Sequence, residues 1–169
     1  IANNQHLEYL DMGNTAIDDE VLSELANSQS IKYLDIMINP RITSAGISNL
    51  LKGKNRRVLE TLIIKHIKIG SEGIKQIAPY LKETSLKSLI FIKNEIGAEG
   101  VKLLAPHLEG STITELALAT NSVGVEGIMA LAPRLKDTYI EKLWLGGDGN
   151  NLGVDGITIL APYLKTSHT

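Results

Sequence analysis

Four histidines, His6, His66, His107 and His168, are the side chains best suited to proton transfer near neutral pH, and they are scattered along the chain. No two of them stand in the H-x-x-x-H spacing that would put two imidazoles on one helix face for a metal ion. His66, beside Lys65 near the end of a strand pattern, reads as a surface residue. The chain has no cysteine, which removes disulfides, thiolate metal sites and thiolate nucleophiles together, and no serine lies in a nucleophile elbow. Nothing supplies the nucleophile, base and orienter of an active site. The expectation is a protein that is not an enzyme and uses no metal and no cofactor.

Three other patterns could hold a ligand, and each has a plainer explanation. Paired glycines at Gly70/Gly73, Gly97/Gly100, Gly124/Gly127 and Gly153/Gly156 sit near helix starts, as in a phosphate cradle, but no lysine and hydroxyl come after them. A turn role for the first glycine and close helix packing for the second explain why the pair recurs. Residues 146–151 read Gly-Gly-Asp-Gly-Asn-Asn, which could ligate calcium, yet they offer a single carboxylate where calcium loops offer several. They read as a lengthened turn, and as a contact point only because they break a uniform surface. Lys52, Lys54, Arg56 and Arg57 form a basic run without interleaved aromatics, the pattern of a solvated loop more than of a nucleic-acid site.

Composition narrows the class further. The chain has 169 residues, 43% apolar and 21% charged, proportions of a globular domain, but only 4% aromatic. Its core therefore has to be built from Leu, Ile, Val and Ala. A formal net charge of −2 gives no global attraction to nucleic acid or an anionic membrane. No apolar run approaches the ~18–20 residues a membrane span needs. No nucleic-acid or membrane partner and no small-molecule substrate is expected. The absent cysteines fit a reducing compartment, so a cytoplasmic location is expected. Because the chain begins with Ile1, it reads as a piece of a longer protein or solenoid, and a missing targeting signal says little about the parent.

The elements that carry these residues are set by a repeat. The segments starting at Leu59, Leu86, Ile113 and Ile140 succeed one another at intervals of 27 residues; the first three bring the same apolar residues, glycine pair and Ala-Pro at the same offsets, and the fourth rejoins the pattern at Leu152 after a turn lengthened by two residues. Two looser copies precede them, one from Ile31 with an extra residue near Pro40 and a shorter one from Leu7. The units are 7–30, 31–58, 59–85, 86–112, 113–139 and 140–169, one domain over 1–169. Leu62 and Ile64, or Leu116 and Leu118, alternate as a half-buried strand requires, and Ile74, Ile77, Ala78 and Leu81 recur at helical spacing. Pro79, Pro106, Pro133 and Pro162 are placed to kink or end each helix, with the next leucine docked inward. One strand and one helix cannot bury a core alone, whereas stacked copies can.

The opening of each unit, L-x-x-L-x-L-x-x-N-x-I, resembles the leucine-rich repeat, and the 27–28-residue length with a helical second half resembles its ribonuclease-inhibitor-like subclass. The resemblance implies an α/β fold: a right-handed βα solenoid of about six repeats, a curved horseshoe segment with parallel strands concave and helices convex. It also implies that Asn39, Asn94 and Asn121 bond backbone groups of the loop. Ile67 stands where the third unit should have that asparagine, so irregularity is expected there.

In this fold the variable strand positions face a partner from the concave side. Between the two inward leucines of each unit lie Asp11, Asp35, Ile63, Ile90, Ala117 and Trp144. The row before them is Tyr9, Tyr33, Thr61, Ser88, Glu115 and Lys142, and the row after is Gly13, Met37, Lys65, Ile92, Ala119 and Gly146. The candidate partner-binding residues are Tyr9, Asp11, Tyr33, Asp35, Met37, Ile63, Lys65, Ile90, Ile92, Glu115, Ala117, Lys142 and Trp144. An apolar centre with no internal packing role marks a binding surface, although β-forming residues shielding one another would look the same. The expected function is a protein-protein interaction module, free or part of a receptor, scaffold or bacterial effector. Two alternatives stand beside it: a GTPase-activating or regulatory protein of a small GTPase, by fold analogy alone, and a structural solenoid self-associating through its ends.

Overall fold

The computed structural model describes residues 4–164. Six strands, each three residues long, alternate with six helices: β1 (Tyr9–Asp11), α1 (Asp19–Leu25), β2 (Tyr33–Asp35), α2 (Ser44–Lys52), β3 (Thr61–Ile63), α3 (Gly70–Ile77), β4 (Ser88–Ile90), α4 (Gly97–Leu108), β5 (Glu115–Ala117), α5 (Gly124–Leu131), β6 (Lys142–Trp144) and α6 (Gly153–Leu164). The strands form one parallel sheet in the order β1 to β6, concave, with the helices on the convex side. Register is residue for residue: Leu10, Leu34, Leu62, Leu89, Leu116 and Leu143 make one inward row. The four middle leucines of that row are fully buried, and with Ile64, Phe91, Ile74, Val101 and Ile128 they fill the space between sheet and helices.

Between strand and helix the backbone alternates in handedness. His66 and Lys68, Lys93 and Glu95, and Thr120 and Ser122 all have φ between 55° and 60°, flanking Ile67, Asn94 and Asn121, and Gly70, Gly97 and Gly124 come next at 63–68°. Left-handed conformations cost a side-chain-bearing residue roughly 1–2 kcal/mol, so something must hold them. The asparagines do. Asn94 accepts the Ile67 N–H on Oδ1 (3.0 Å) and donates to the Ile64 carbonyl (2.6 Å). Asn121 accepts the Asn94 N–H (2.8 Å) and donates to the Phe91 carbonyl. Asn39 does the same for the first loop, accepting the N–H groups of Thr15 and Ile17 and donating to the Met12 carbonyl.

Here the structure corrects the expectation about Ile67. The third loop keeps the same left-handed pattern, and Ile67 is buried in the asparagine slot. The irregular loop is the second. After Ile38 (φ 55°) and Asn39 comes Pro40, whose ring holds φ near −65°, so the alternation stops and the extra residue is accommodated there. Arg41 instead makes an isolated parallel bridge to Asp18.

The recurring prolines act in two ways. α3 and α5 end at Ile77 and Leu131 and continue as 3-10 turns over Ala78–Glu83 and Ala132–Asp137, while α4 and α6 carry Pro106 and Pro162 inside their last turns. Leu81 and Leu108 are fully buried as expected, whereas Leu164 is 59% exposed. The second glycine of each pair packs against its own repeat first. A Cβ on Gly127 would lie 2.8 Å from Val123 Cγ1 and 3.5 Å from Ala98 Cα of the preceding helix. The branched residue four positions earlier therefore demands the glycine, while the neighbouring helix would meet a Cβ only in ordinary contact.

Candidate functional site

The concave face is assembled by register. Because every strand pairs in step, the candidate residues stack in rows running across the sheet: Tyr9, Tyr33, Thr61, Ser88, Glu115, Lys142 beside Asp11, Asp35, Ile63, Ile90, Ala117, Trp144. Neighbouring strands stand about 4.8 Å apart, so each row is a continuous ladder of side chains.

At the β1–β2 end, the Tyr9 and Tyr33 rings stack with centroids 4.0 Å apart and planes 11° from parallel. Burial pushes the Tyr33 hydroxyl well above the usual phenol range, helped by its hydrogen bond with Tyr9 and the negative charge of Asp35 and Asp11. Asp35 is 8% exposed. Its Oδ1 accepts the Met37 N–H at 2.9 Å, and Asp11 accepts the Gly13 N–H in the same way. Burial raises the Asp35 carboxyl above its ordinary value and Asp11 raises it further, while the Met37 N–H and Lys65 pull it down. Among the described residues no basic nitrogen lies within 4.0 Å of either carboxylate.

In the centre, Ile63 and Ile90 are half-buried, as are Met37, Lys65 and Ile92 in the next row. These side chains cover one another laterally yet leave an apolar strip in solvent. Ala117 differs from expectation: it is 1% exposed, because its methyl lies in register between the larger Ile90 and Trp144, and it offers no contact surface.

At the β6 end, Trp144 is 55% exposed, and its indole Nε1 donates to Glu115 Oε1 at 3.1 Å. Ser88 donates to the other oxygen of Glu115 at 2.8 Å. Glu115 is therefore a strut joining β4, β5 and β6, and Lys142 stands exposed beside it.

The residues outside this face behave as scaffold. His6 precedes the first repeat, His66 and His107 lie in different repeats, and His168 lies outside the described residues. Burial, with Lys82 nearby, lowers the His107 imidazole below its ordinary value. In the basic run, Lys52 sits over the Tyr80 ring at 4.7 Å, Arg56 donates to the Lys52 carbonyl, and Lys54 and Arg57 are only partly covered. No helix among the described residues is long and apolar enough to cross a membrane.

One functional side chain was missed in the sequence. Asn150, read only as part of a glycine-rich turn, is 2% exposed and is a further rung of the ladder. It accepts the Asn121 N–H at 2.7 Å and the Val123 N–H at 3.3 Å, and it donates to the Leu118 and Leu145 carbonyls. Gly149, Asn151 and Gly153 around it carry the usual positive φ. The extra residues therefore precede Asn150, and the usable signal was an Asn three residues before the first glycine of the pair, as in Asn94–Gly97 and Asn121–Gly124.

A family model described as Leucine Rich repeat matches residues 3–26, 82–105 and 111–132. A solved structure described as "Leiomodin-1 Actin-Binding Site 2 (ABS2)" is similar in fold, with a TM-score of 0.57 at 17% identity, over 96% of this chain and 83% of that one. No curated protein matches the chain. Repeat motif, sheet order and structural likeness agree on the same architecture, including the recognition of its repeats from sequence.

Proposed function

We propose that this leucine-rich-repeat solenoid is a binding module that takes a protein partner on the concave face of its sheet. The observation that carries the reading is the apolar strip Met37, Ile63, Ile90 and Ile92, left half-exposed beside Trp144 although the core has no need of it. Contiguous apolar area open to water is costly to keep without a partner, and tryptophan is enriched among residues that dominate binding energy. The similar solved structure is described as an actin-binding site, a protein-binding use of the same fold. The module fits a free-standing binder or one unit of a larger receptor, scaffold or bacterial effector.

The test is capture from cell lysate, comparing the wild type with a Trp144→Ala, Ile90→Thr double variant. Threonine keeps the β-branched shape at a half-buried strand position, so thermal unfolding should shift little while a specific partner is lost. A partner retained by the folded double variant would move the binding surface off the concave face.

A further inference from the structure

The ends of the concave ladder are unlike, and the β1–β2 end is unfinished in a particular way. Tyr9 is 59% exposed on the edge strand, so the ring face turned away from Tyr33 is open. Beside this stacked pair runs the Asp11–Asp35 rung. Asp35 is more than nine-tenths buried as a residue, and its Oδ1 accepts the Met37 N–H; its Oδ2 has no donor among the described residues and is left open to solvent. The nearby acidic groups are otherwise engaged: Glu8 pairs with Lys32 at 2.7 Å, Asp18 caps α1, and Asp19 binds Thr43. What remains on the face is an aromatic plate next to two carboxylates without an ion-pair partner within 4.0 Å among the described residues, Lys65 acting on Asp35 only from farther off. A planar cation that stacks and donates in a fork suits both, which is the chemistry of a guanidinium and not of an ammonium.

The rest of the face selects the residues that a partner chain would carry beyond that cation. From β2 to β6 there are four strand intervals, about 19 Å at ~4.8 Å each, which an extended chain at ~3.3 Å per residue covers in about six residues. Alternate side chains of such a segment would meet Ile63, Ile90 or Ile92, and then Trp144.

We propose that the Tyr9–Tyr33 stack with Asp11 and Asp35 is a receptor for an arginine side chain of an extended partner segment, whose alternate apolar residues lie across Ile63, Ile90 and Ile92 towards Trp144. This rests on the concave face being the binding surface and adds which segment chemistry it selects and in which direction.

The probe is the peptide acetyl-Arg-Ser-Ile-Ser-Leu-Ser-Phe-amide, titrated against the protein by the fluorescence of Trp144, the single tryptophan of the chain. Three further peptides carry citrulline or lysine in place of arginine, or the arginine moved to the far end. The expected result is saturable binding of the first peptide, weakened about tenfold or more by citrulline, by moving the arginine, and by Asp35→Asn, and weakened less by lysine. Because removing a buried charge does not endanger folding, Asp35→Asn is a safe variant, and Asp11→Asn serves as a second.

Equal binding of the arginine and citrulline peptides, with loss on Ile90→Thr, would overturn the arginine receptor and leave the concave binding face standing. Binding that ignores where the arginine sits would overturn the direction and hence the site. No binding at millimolar peptide would also overturn it, while the lysate capture judges the concave face separately.

Discussion

The first two repeats and the last four are held together by different means, although one sheet runs through all six. In the third to sixth repeats each loop reaches forward: the Gly70, Gly97 and Gly124 N–H groups donate to the carbonyls of Asn94, Asn121 and Asn150 in the next loop, and the asparagine amides close the same gaps. The first two repeats share the asparagine rung but have no glycine at that position, and a helix cap takes the place of its bond. Asn39 bonds the first loop, and Thr43, which caps α2, donates its N–H (2.8 Å) and its hydroxyl (2.6 Å) to the Asp19 carboxylate of α1. Between the second and third loops Ile67 has no polar atom to offer. The sheet, the loop backbone and the helices still cross that boundary, through Ile36 to Ile63, Ile38 to Lys65 and Ser48 to Gln76, but the asparagine ladder does not. A solenoid that looks uniform along its core is thus a pair joined to a quartet.

The strongest way to break this comparison is to cut the ladder inside the quartet. Asn121→Ala strands the Phe91 carbonyl and the Asn94 N–H in a buried loop, while the Ala119 carbonyl keeps the Lys93 N–H. At roughly 1–3 kcal/mol for each unsatisfied buried group, partly relieved by relaxation, about 2–4 kcal/mol of stability should be lost. Urea unfolding should show it as a lower midpoint, and hydrogen exchange should speed up across α3 to α6 together. Exchange confined to one repeat would mean the quartet is not a cooperative unit.

A smaller effect is expected from Asp19→Ala in the pair. The Asp19 side chain is only half-buried, so losing its bonds to Thr43 should cost about 1–2 kcal/mol, the range of a lost helix cap. Amide exchange should rise in α1 and the start of α2 while β3 to β6 keep their protection. Equal acceleration throughout would erase the boundary at Ile67.

The smallest effect sharpens the pair itself. The Asp35 carboxyl is raised above 3.8, its ordinary value, chiefly by burial. The folded state therefore holds the proton more tightly than the unfolded chain, and the associated stability is full below pH 3.8 and lost as pH rises through the native value. Asp35→Asn should raise the melting temperature at pH 7 by a small margin, and the advantage should vanish as pH falls below 3.8. A gain that grew at low pH would assign Asp35 the opposite role, that of a stabilised carboxylate.

Most of the fold was legible because period and register are the same information in a repeat. Once the starts at Leu59, Leu86, Ile113 and Ile140 are aligned, the rows of the sheet are fixed without further assumption, as the pairing of Thr61 with Ser88 and Ser88 with Glu115 shows. Asn150 escaped because the lengthened turn moved it out of the interval. The geometry of the concave face was less legible for a different reason. Position in a row tells which way a side chain points, but exposure depends on the sizes of its lateral neighbours, which is why Ala117 is covered and Ile90 is not. The engagement of Glu115 with both Ser88 and Trp144 depends likewise on the diagonal reach of long side chains across strands.

The loops also reveal how this chain tolerates changes in length. One added residue at Pro40 and the extra residues before Asn150 are both absorbed between a strand and the helix after it; the first leaves β2 and β3 paired in step, and the second leaves Gly153 at its usual distance from the asparagine. The 27-residue interval therefore works like a reading frame. Adding or deleting a whole interval, for example residues 86–112, would present each surviving layer with a neighbour of the kind it already has. Added residues are stored in those loops, whereas the shorter first repeat takes up its difference on the helix side and still pairs β1 with β2 in step.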